Sequence, residues 1–329
     1  MSHSNLIDFK ITGQDLKFCG ENLKKPTCIV KLNDHKILCT DINHGIIEID
    51  INNNTQKPYL LKNQHPNQDP NKKEQITSFV MKDDKSLLLA KLAKGTIEHV
   101  IGDQPNKILF NKINNKDLGR VNFMCSDQHG GFYVTISSRR ENAAESLNAK
   151  SADGYLAHFD DKYEIKIVAD NLGFPNEARL DAKGEYLYVA ETSGKRISRF
   201  KILDNNNLGD RETYGPNDLG LGGHPDGICF DKQGNLWGTL VFGEKIYVIT
   251  KDQKMHIIMD LSNNKKLKKL EDAFINKYIS PEIEKEVANK IIPLPVSLTF
   301  AGEDNKTVFI GNSGSQLAYF RSPVAGLFS

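Results

Sequence analysis

One plan recurs six times in this chain, and a recurring unit constrains a fold more tightly than any composition. A Pro or another apolar residue opens each unit and a small or polar residue follows. Then come an apolar stretch, a turn rich in Asp, Gly, Asn or Lys, and a second apolar strand. The six are PTCIVKLNDHKILCTD from Pro26, ITSFVMKDDKSLLLAK from Ile76, VNFMCSDQHGGFYVT from Val121, PNEARLDAKGEYLYVAET from Pro175, PDGICFDKQGNLWGT from Pro225 and PVSLTFAGEDNKTVFIGN from Pro295. Their starts lie 50, 45, 54, 50 and 70 residues apart. A period of about 40 to 50 residues with several short strands in each is a propeller pattern. The expectation is an all-β fold, a six-bladed β-propeller forming a single domain over residues 1–329. The turns DAKGE from Asp181 and DKQGN from Asp231 support it, because Gly supplies the positive φ that tight hairpins require.

The 70-residue interval is the exception, and its excess lies between His256 and Pro295. Leu267, Leu270, Phe274 and Tyr278 fall on one helical face. Pro281 suits a first helical turn, and Ile283, Val287 and Ile291 continue one stripe. The spacing predicts a helical insertion over about 262–292, between blades five and six, as a lid, an oligomer contact, or plain packing on the propeller's side. The basic run Lys265, Lys266, Lys268 and Lys269 reads as a solvated face of that helix.

Lys plus Arg number 43 against 42 Asp plus Glu, a balance that gives no electrostatic case for nucleic acid or an anionic membrane. No apolar run approaches the roughly 18 residues of a membrane span, and MSHSNLIDFKITG lacks the basic and apolar regions of a signal peptide. The chain therefore reads as soluble and cytoplasmic. Its five cysteines, an odd number without CxxC spacing, read as buried thiols rather than a disulfide frame or zinc site. The expected partner is a small-molecule substrate, and oligomeric state stays open.

Aligning the units on their turns puts Thr27, Thr77, Asn122, Asn176, Asp226 and Val296 at one place, directly after the residue that opens each unit. In a propeller the innermost strands surround the axis, so equivalent positions form a ring. Asn122, Asn176 and Asp226 come from consecutive units, and their hard oxygen donors suit Ca²⁺ or Mg²⁺. Alternatively, Asn and Asp at such a place bond only their own loops.

FPNEARLDAKGEYLYVAET, HPDGICFDKQGNLWGT and RVNFMCSDQHGGFYVT resemble three blade motifs of the SMP-30/gluconolactonase/luciferin-regenerating-enzyme family, over a stretch from about Pro26 to the C-terminal YFRSPVAGL. That family is similar in fold to diisopropylfluorophosphatases and strictosidine-synthase-like propellers. The resemblance implies a central divalent cation, usually Ca²⁺, and hydrolysis of sugar lactones or related esters. It carries metal binding onto Asn122, Asn176 and Asp226, and substrate contact onto Arg120. The family's further ligand, a first-blade Glu, is missing: Leu23-Lys24-Lys25-Pro26-Thr27-Cys28 offers no carboxylate, and Thr27 stands in its place. Calcium affinity depends on carboxylate count, so this departure bears on metal binding directly.

On this reading Asp226 is both ligand and catalytic base, Asn122 and Arg120 face the substrate, and His224 is a second base, a substrate contact, or a surface loop histidine. Glu177 is left out, because strand alternation turns it away from its neighbour Asn176. Two other readings remain: a non-catalytic binding propeller that lost metal competence, and a related phosphoesterase of the diisopropylfluorophosphatase type.

Overall fold

The structure, a computed structural model, describes residues 4–60, 75–82, 84–102 and 104–327. Six four-stranded antiparallel sheets are arranged as the blades of a propeller. Blade one holds Ile29–Lys31, Lys36–Asp41, Gly45–Asp50 and Thr55–Leu60; blade two holds Ile76–Met81, Leu87–Lys91, Thr96–Val100 and Lys107–Phe110. Blade three runs from Val121–Ser126 through Phe132–Ile136 and Gly154–Phe159 to Ile165–Leu172. Blade four holds Pro175–Leu180, Tyr186–Glu191, Arg196–Ile202 and Leu208–Tyr214, and blade five Pro225–Phe230, Leu236–Leu240, Lys245–Ile249 and Met255–Asp260. Blade six takes Ser297–Ala301, Thr307–Gly311 and Leu317–Arg321 from the end of the chain. Its outermost strand, Lys17–Cys19, comes from the beginning. Each repeat identified in the sequence supplies the two inner strands of a blade.

Why these residues form blades follows from their alternation and turns. The second strand of each blade is buried along nearly its whole length, as in LLLAK of Leu87–Lys91 and FYVTI of Phe132–Ile136, because both faces of a blade pack against neighbours. The hairpin turns form as their sequences require, with Gly184 at φ 67° and Gly234 at φ 78°. Trp237, fully buried, lies edge-on to Phe300 of blade six, and its indole N–H reaches Asp231 at 3.0 Å. All five cysteines are unpaired thiols, four of them buried.

Antiparallel blades place the start of every innermost strand, the turn between the second and third strands, and the link between blades on one face of the disc. The helical insertion emerges from such a link, between blades five and six, as expected. Its first helix is Asn264–Asn276, capped by Asn263, whose side chain accepts from the Lys265 and Lys266 N–H groups. Leu267, Leu270 and Phe274 are buried as the stripe predicts. Tyr278 falls beyond the helix, which ends where Lys277 leaves helical geometry, and Ile279 takes the buried place. The second helix, Pro281–Val287, stops before Ile291, which is exposed. The lysine run lies mostly exposed on the first helix. Among the described residues no helix is long and apolar enough to cross a membrane.

Candidate functional site at the hub

Five of the six ring positions behave alike in the folded chain. Thr27, Thr77, Asn122, Asp226 and Val296 each keep part of their surface exposed while both sequence neighbours of each are buried; Asn176 is itself buried, at 7% exposure. A single position standing open in five of six blades is what a channel mouth on the axis produces.

Two hydroxyls fix the amides of this ring. Ser137 Oγ donates to the Pro175 carbonyl at 2.9 Å, and Thr192 Oγ1 donates to the Pro225 carbonyl at 2.7 Å, each tying one blade to the next. A hydroxyl has one proton to give. Ser137 must therefore accept from Asn122 Nδ2 at 2.8 Å, and Thr192 from Asn176 Nδ2 at 3.2 Å. Each Nδ2 is thus turned to a hydroxyl of its own blade, and the Asn176 amide has a second N–H to give to Asp226. The expectation that such residues bond locally is met by both amide nitrogens.

Asp226 completes the consecutive trio. Burial drives its carboxyl well above the usual carboxylate range, and the charge of Glu177 drives it further, against a hydrogen bond from Asn176. Among the described residues no Lys or Arg pairs with Asp226; Lys24, in the first-blade stretch without a carboxylate, is exposed. A carboxylate that no Lys or Arg pairs with among the described residues, beside two fixed side-chain amides, is a donor set of the type that a hard divalent cation takes. Blade one contributes only Thr27, whose hydroxyl lies 3.2 Å from that of Thr40. Among the described residues no three His, Cys, Asp or Glu side chains gather as a metal-holding cluster.

The exclusion of Glu177 needs correcting. The pairing of blade four shifts register between Pro175 and Ala178, from Pro175↔Glu191 to Ala178↔Val189, so strict alternation fails where it was invoked. Glu177, 4% exposed, accepts from the Ile228 N–H at 3.3 Å and pairs with Arg179 at 2.9 Å. The N–H of Gly227 points back into blade five, to Thr239 Oγ1 at 3.0 Å. Past the register shift of this strand the Asp231 N–H bonds the Asn235 carbonyl, so alternation turns the Ile228 N–H to the free inner edge, and the Glu177 carboxylate that receives it lies along the channel. Burial followed by the opposing effect of Arg179 leaves its pKa raised to about 7. Below it, Arg179 stacks over Phe123 at 4.3 Å. The opposite end of the channel holds a cavity of about 30 Å³ lined by Arg179, Leu180, Cys229, Phe230, Thr299, Phe300 and Leu327, room for at most about one water.

His224 is not a surface histidine. It is fully buried, with Nδ1 3.0 Å from the Thr192 carbonyl, Nε2 3.4 Å from Glu271 of the insertion, and Phe242 and Phe274 edge-on to its ring. Burial pushes the Glu271 carboxyl up, but His224, Lys195 and the Gly222 N–H outweigh that and hold it at about 2. Arg120 is half-buried on the ring face, and its Nε donates to the Arg140 carbonyl at 3.4 Å. The insertion covers this same face: Leu270, Phe274, Ile279 and Val287 cluster with Leu147 of blade three, Phe174 of blade four, Val241 and Phe242 of blade five, and the ring residue Val296.

Fold and hub together define a six-bladed propeller whose axis carries Asn122, Asn176 and Asp226 on one face. Comparison with known proteins agrees. Residues 26–265 match the SMP-30/gluconolactonase/LRE-like region, and the chain belongs to that family. It is similar to a putative gluconolactonase structure at TM-score 0.66 and 12% identity, covering 97% of this chain and 96% of that one. It is also similar to the calcium-binding protein regucalcin from Agrobacterium tumefaciens at TM-score 0.62 and 14% identity, covering 95% and 96% of the two chains. In sequence it is 32% identical to the adipocyte plasma membrane-associated protein of Danio rerio over 131 residues, 38% of this chain. That match spans about a third of the relative's length, 31%.

Proposed function

We propose that the protein is a metal-dependent hydrolase that opens a sugar lactone or a similar small ester at the hub. The observation that carries this reading is the gathering of Asn122, Asn176 and Asp226 at equivalent positions of three consecutive blades, with both amides fixed by Ser137 and Thr192. Family membership and the likeness to a gluconolactonase and to a calcium-binding regucalcin support it. Asn122, Asn176 and Asp226 would hold the cation, Ca²⁺ by donor type. A divalent cation there supplies Lewis acidity toward a carbonyl and acidifies a bound water.

The chain's own groups do the rest. Asp226, the one carboxylate among the ring positions, accepts the proton of the attacking water. Asn122 and the planar fork of Arg120 orient the substrate's oxygens at the channel mouth. The insertion excludes water from that face, where apolar contacts run from Leu147 to Val296. His224, engaged by Thr192 and Glu271, orients the insertion.

Thr27, where the family has a carboxylate, favours a second reading, a propeller that binds its ligand without turning it over. One experiment divides the two: hydrolysis of glucono-lactone and a lactone panel, with Ca²⁺, with chelator, and with Asp226→Ala. Turnover that vanishes with chelator, returns with Ca²⁺, and falls about 10²- to 10⁴-fold in the variant supports the hydrolase. Ca²⁺ binding without turnover of any lactone supports the binding propeller.

A further inference from the structure

We propose that Glu177 is the positioning carboxylate of the hub, supplying from the layer beneath the ring the second negative charge that blade one does not provide. The proposal rests on the reading of the hub as a cation site and goes beyond its ligand trio. Its carboxylate stands on the axis because it accepts from the channel-facing N–H of Ile228, two residues past Asp226 on the same strand. Two residues of strand span about 7 Å. Its charge is the one that acts on Asp226. Oε2 is already shared by the Ile228 N–H and Arg179, so Glu177 acts through the field and through the strand bearing Asp226, not by replacing a ligand.

A second observation points to a ligand in the same place. Tyr247, Gly238 and Ile228 lie in register across blade five. The Tyr247 ring crosses the space above Gly238, where a Cβ would sit 2.4 Å from the phenol oxygen. That hydroxyl is fully buried, lies within the field of Asp226, and has no hydrogen-bond partner. An orphaned hydroxyl near Asp226, a carboxylate that no Lys or Arg pairs with among the described residues, is an arrangement that a bound divalent ion relieves.

Arg179 sets the limit of the effect. Paired to Glu177 and stacked on Phe123, it closes the channel beneath the site and cancels part of the added charge. The hub is therefore expected to bind a divalent ion moderately and to depend on Glu177 for doing so. Its design differs from a ring of direct carboxylate ligands: one carboxylate touches the ion and the other is held a layer below.

The test is calorimetric titration of the full chain with Ca²⁺ alone, for the parent, Asp226→Asn, Glu177→Gln and Glu177→Asp. Gln keeps the shape and can still accept from Ile228 and Arg179, so the fold is expected to survive, checked by thermal unfolding. The expected result is loss of binding in Asp226→Asn, affinity about 10- to 100-fold weaker in Glu177→Gln, and recovery to within several-fold in Glu177→Asp, which restores charge. Parent-like affinity in Glu177→Gln overturns the proposal and leaves the hydrolase reading intact. Absence of Ca²⁺ binding in the parent overturns it as well; lactone turnover by the same preparations without metal then decides whether the hydrolase reading outlives the cation.

Discussion

Each oriented amide of the hub depends on one hydroxyl in the neighbouring strand or loop. Thr192→Val keeps the shape of the side chain but removes the proton that reaches the Pro225 carbonyl and the oxygen that receives Asn176. The carbonyl and the amide are then both buried without that partner, a cost of about 1 to 3 kcal/mol. We expect a lower thermal midpoint together with Ca²⁺ affinity reduced by an order of magnitude; a variant that loses stability but binds Ca²⁺ as tightly as the parent would show that Thr192 only joins blades. At this scale the sequence was readable wherever the repeat spoke. Asn122, Asn176 and Asp226 could be aligned because six copies report one position. Glu177 could not be placed, because the bulge that turns it into the channel is a property of pairing and not of residue type. The family resemblance shed no light on His224, whose partner Glu271 lies 47 residues away in the insertion.

The helical insertion is the element that the repeat period exposed as excess, and its first helix was legible from three buried residues at helical spacing. Its termini were not, since the backbone break at Lys277 and the end of the second helix at Val287 answer to docking and not to periodicity. Its attachment is ionisable. Burial raises the Glu244 carboxyl to about 8 against bonds from Leu294 and Asn289, and burial raises Glu284 to about 7 against the charge of Lys25. A carboxyl raised in the folded state stabilises docking below its unfolded value near 4.5 and loses that contribution as pH climbs through 7 to 8. Glu271, held at about 2, works the other way, contributing above 4.5 and failing only as pH falls toward 2. Between pH 5 and pH 8 the Glu271 contribution stays constant and the other two decline. Amide exchange at Ile279, whose N–H bonds the Leu147 carbonyl, should therefore show an opening free energy lower at pH 8, by on the order of a few kcal/mol after correction for intrinsic rates. Glu244→Gln should flatten most of that slope. An unchanged slope in this variant would place the pH response outside the insertion's clasp.

A ring of six blades must close, and here the closure joins opposite ends of the chain. Lys17, Phe18 and Cys19 pair with Tyr319, Ala318 and Leu317, so the last blade is completed by residues that precede the first. Three residues are too short a run to read as a strand, which is why six repeats were visible in the sequence and the closing strand was not. The segment leading to it is also packed: Leu6, Ile11 and Leu16 are buried in the cluster shared by blades five and six, and the Ile11 N–H bonds the Ile258 carbonyl. Burying each such side chain contributes about 1.5 to 3 kcal/mol, so the three together approach the roughly 5 to 15 kcal/mol that holds a native protein folded. Removing residues 1–20 would also leave Leu317–Arg321 as a bare sheet edge, open to pairing with another chain. The truncated protein is expected to unfold at a markedly lower temperature and to associate through that edge, with light scattering rising as protein concentration rises. A synthetic peptide of residues 1–20 added in trans should raise the midpoint and suppress the scattering in a concentration-dependent way, because it refills the missing strand. A truncated chain that stays monomeric at the parent's midpoint would mean that the five other blades and three strands of the sixth hold the ring by themselves.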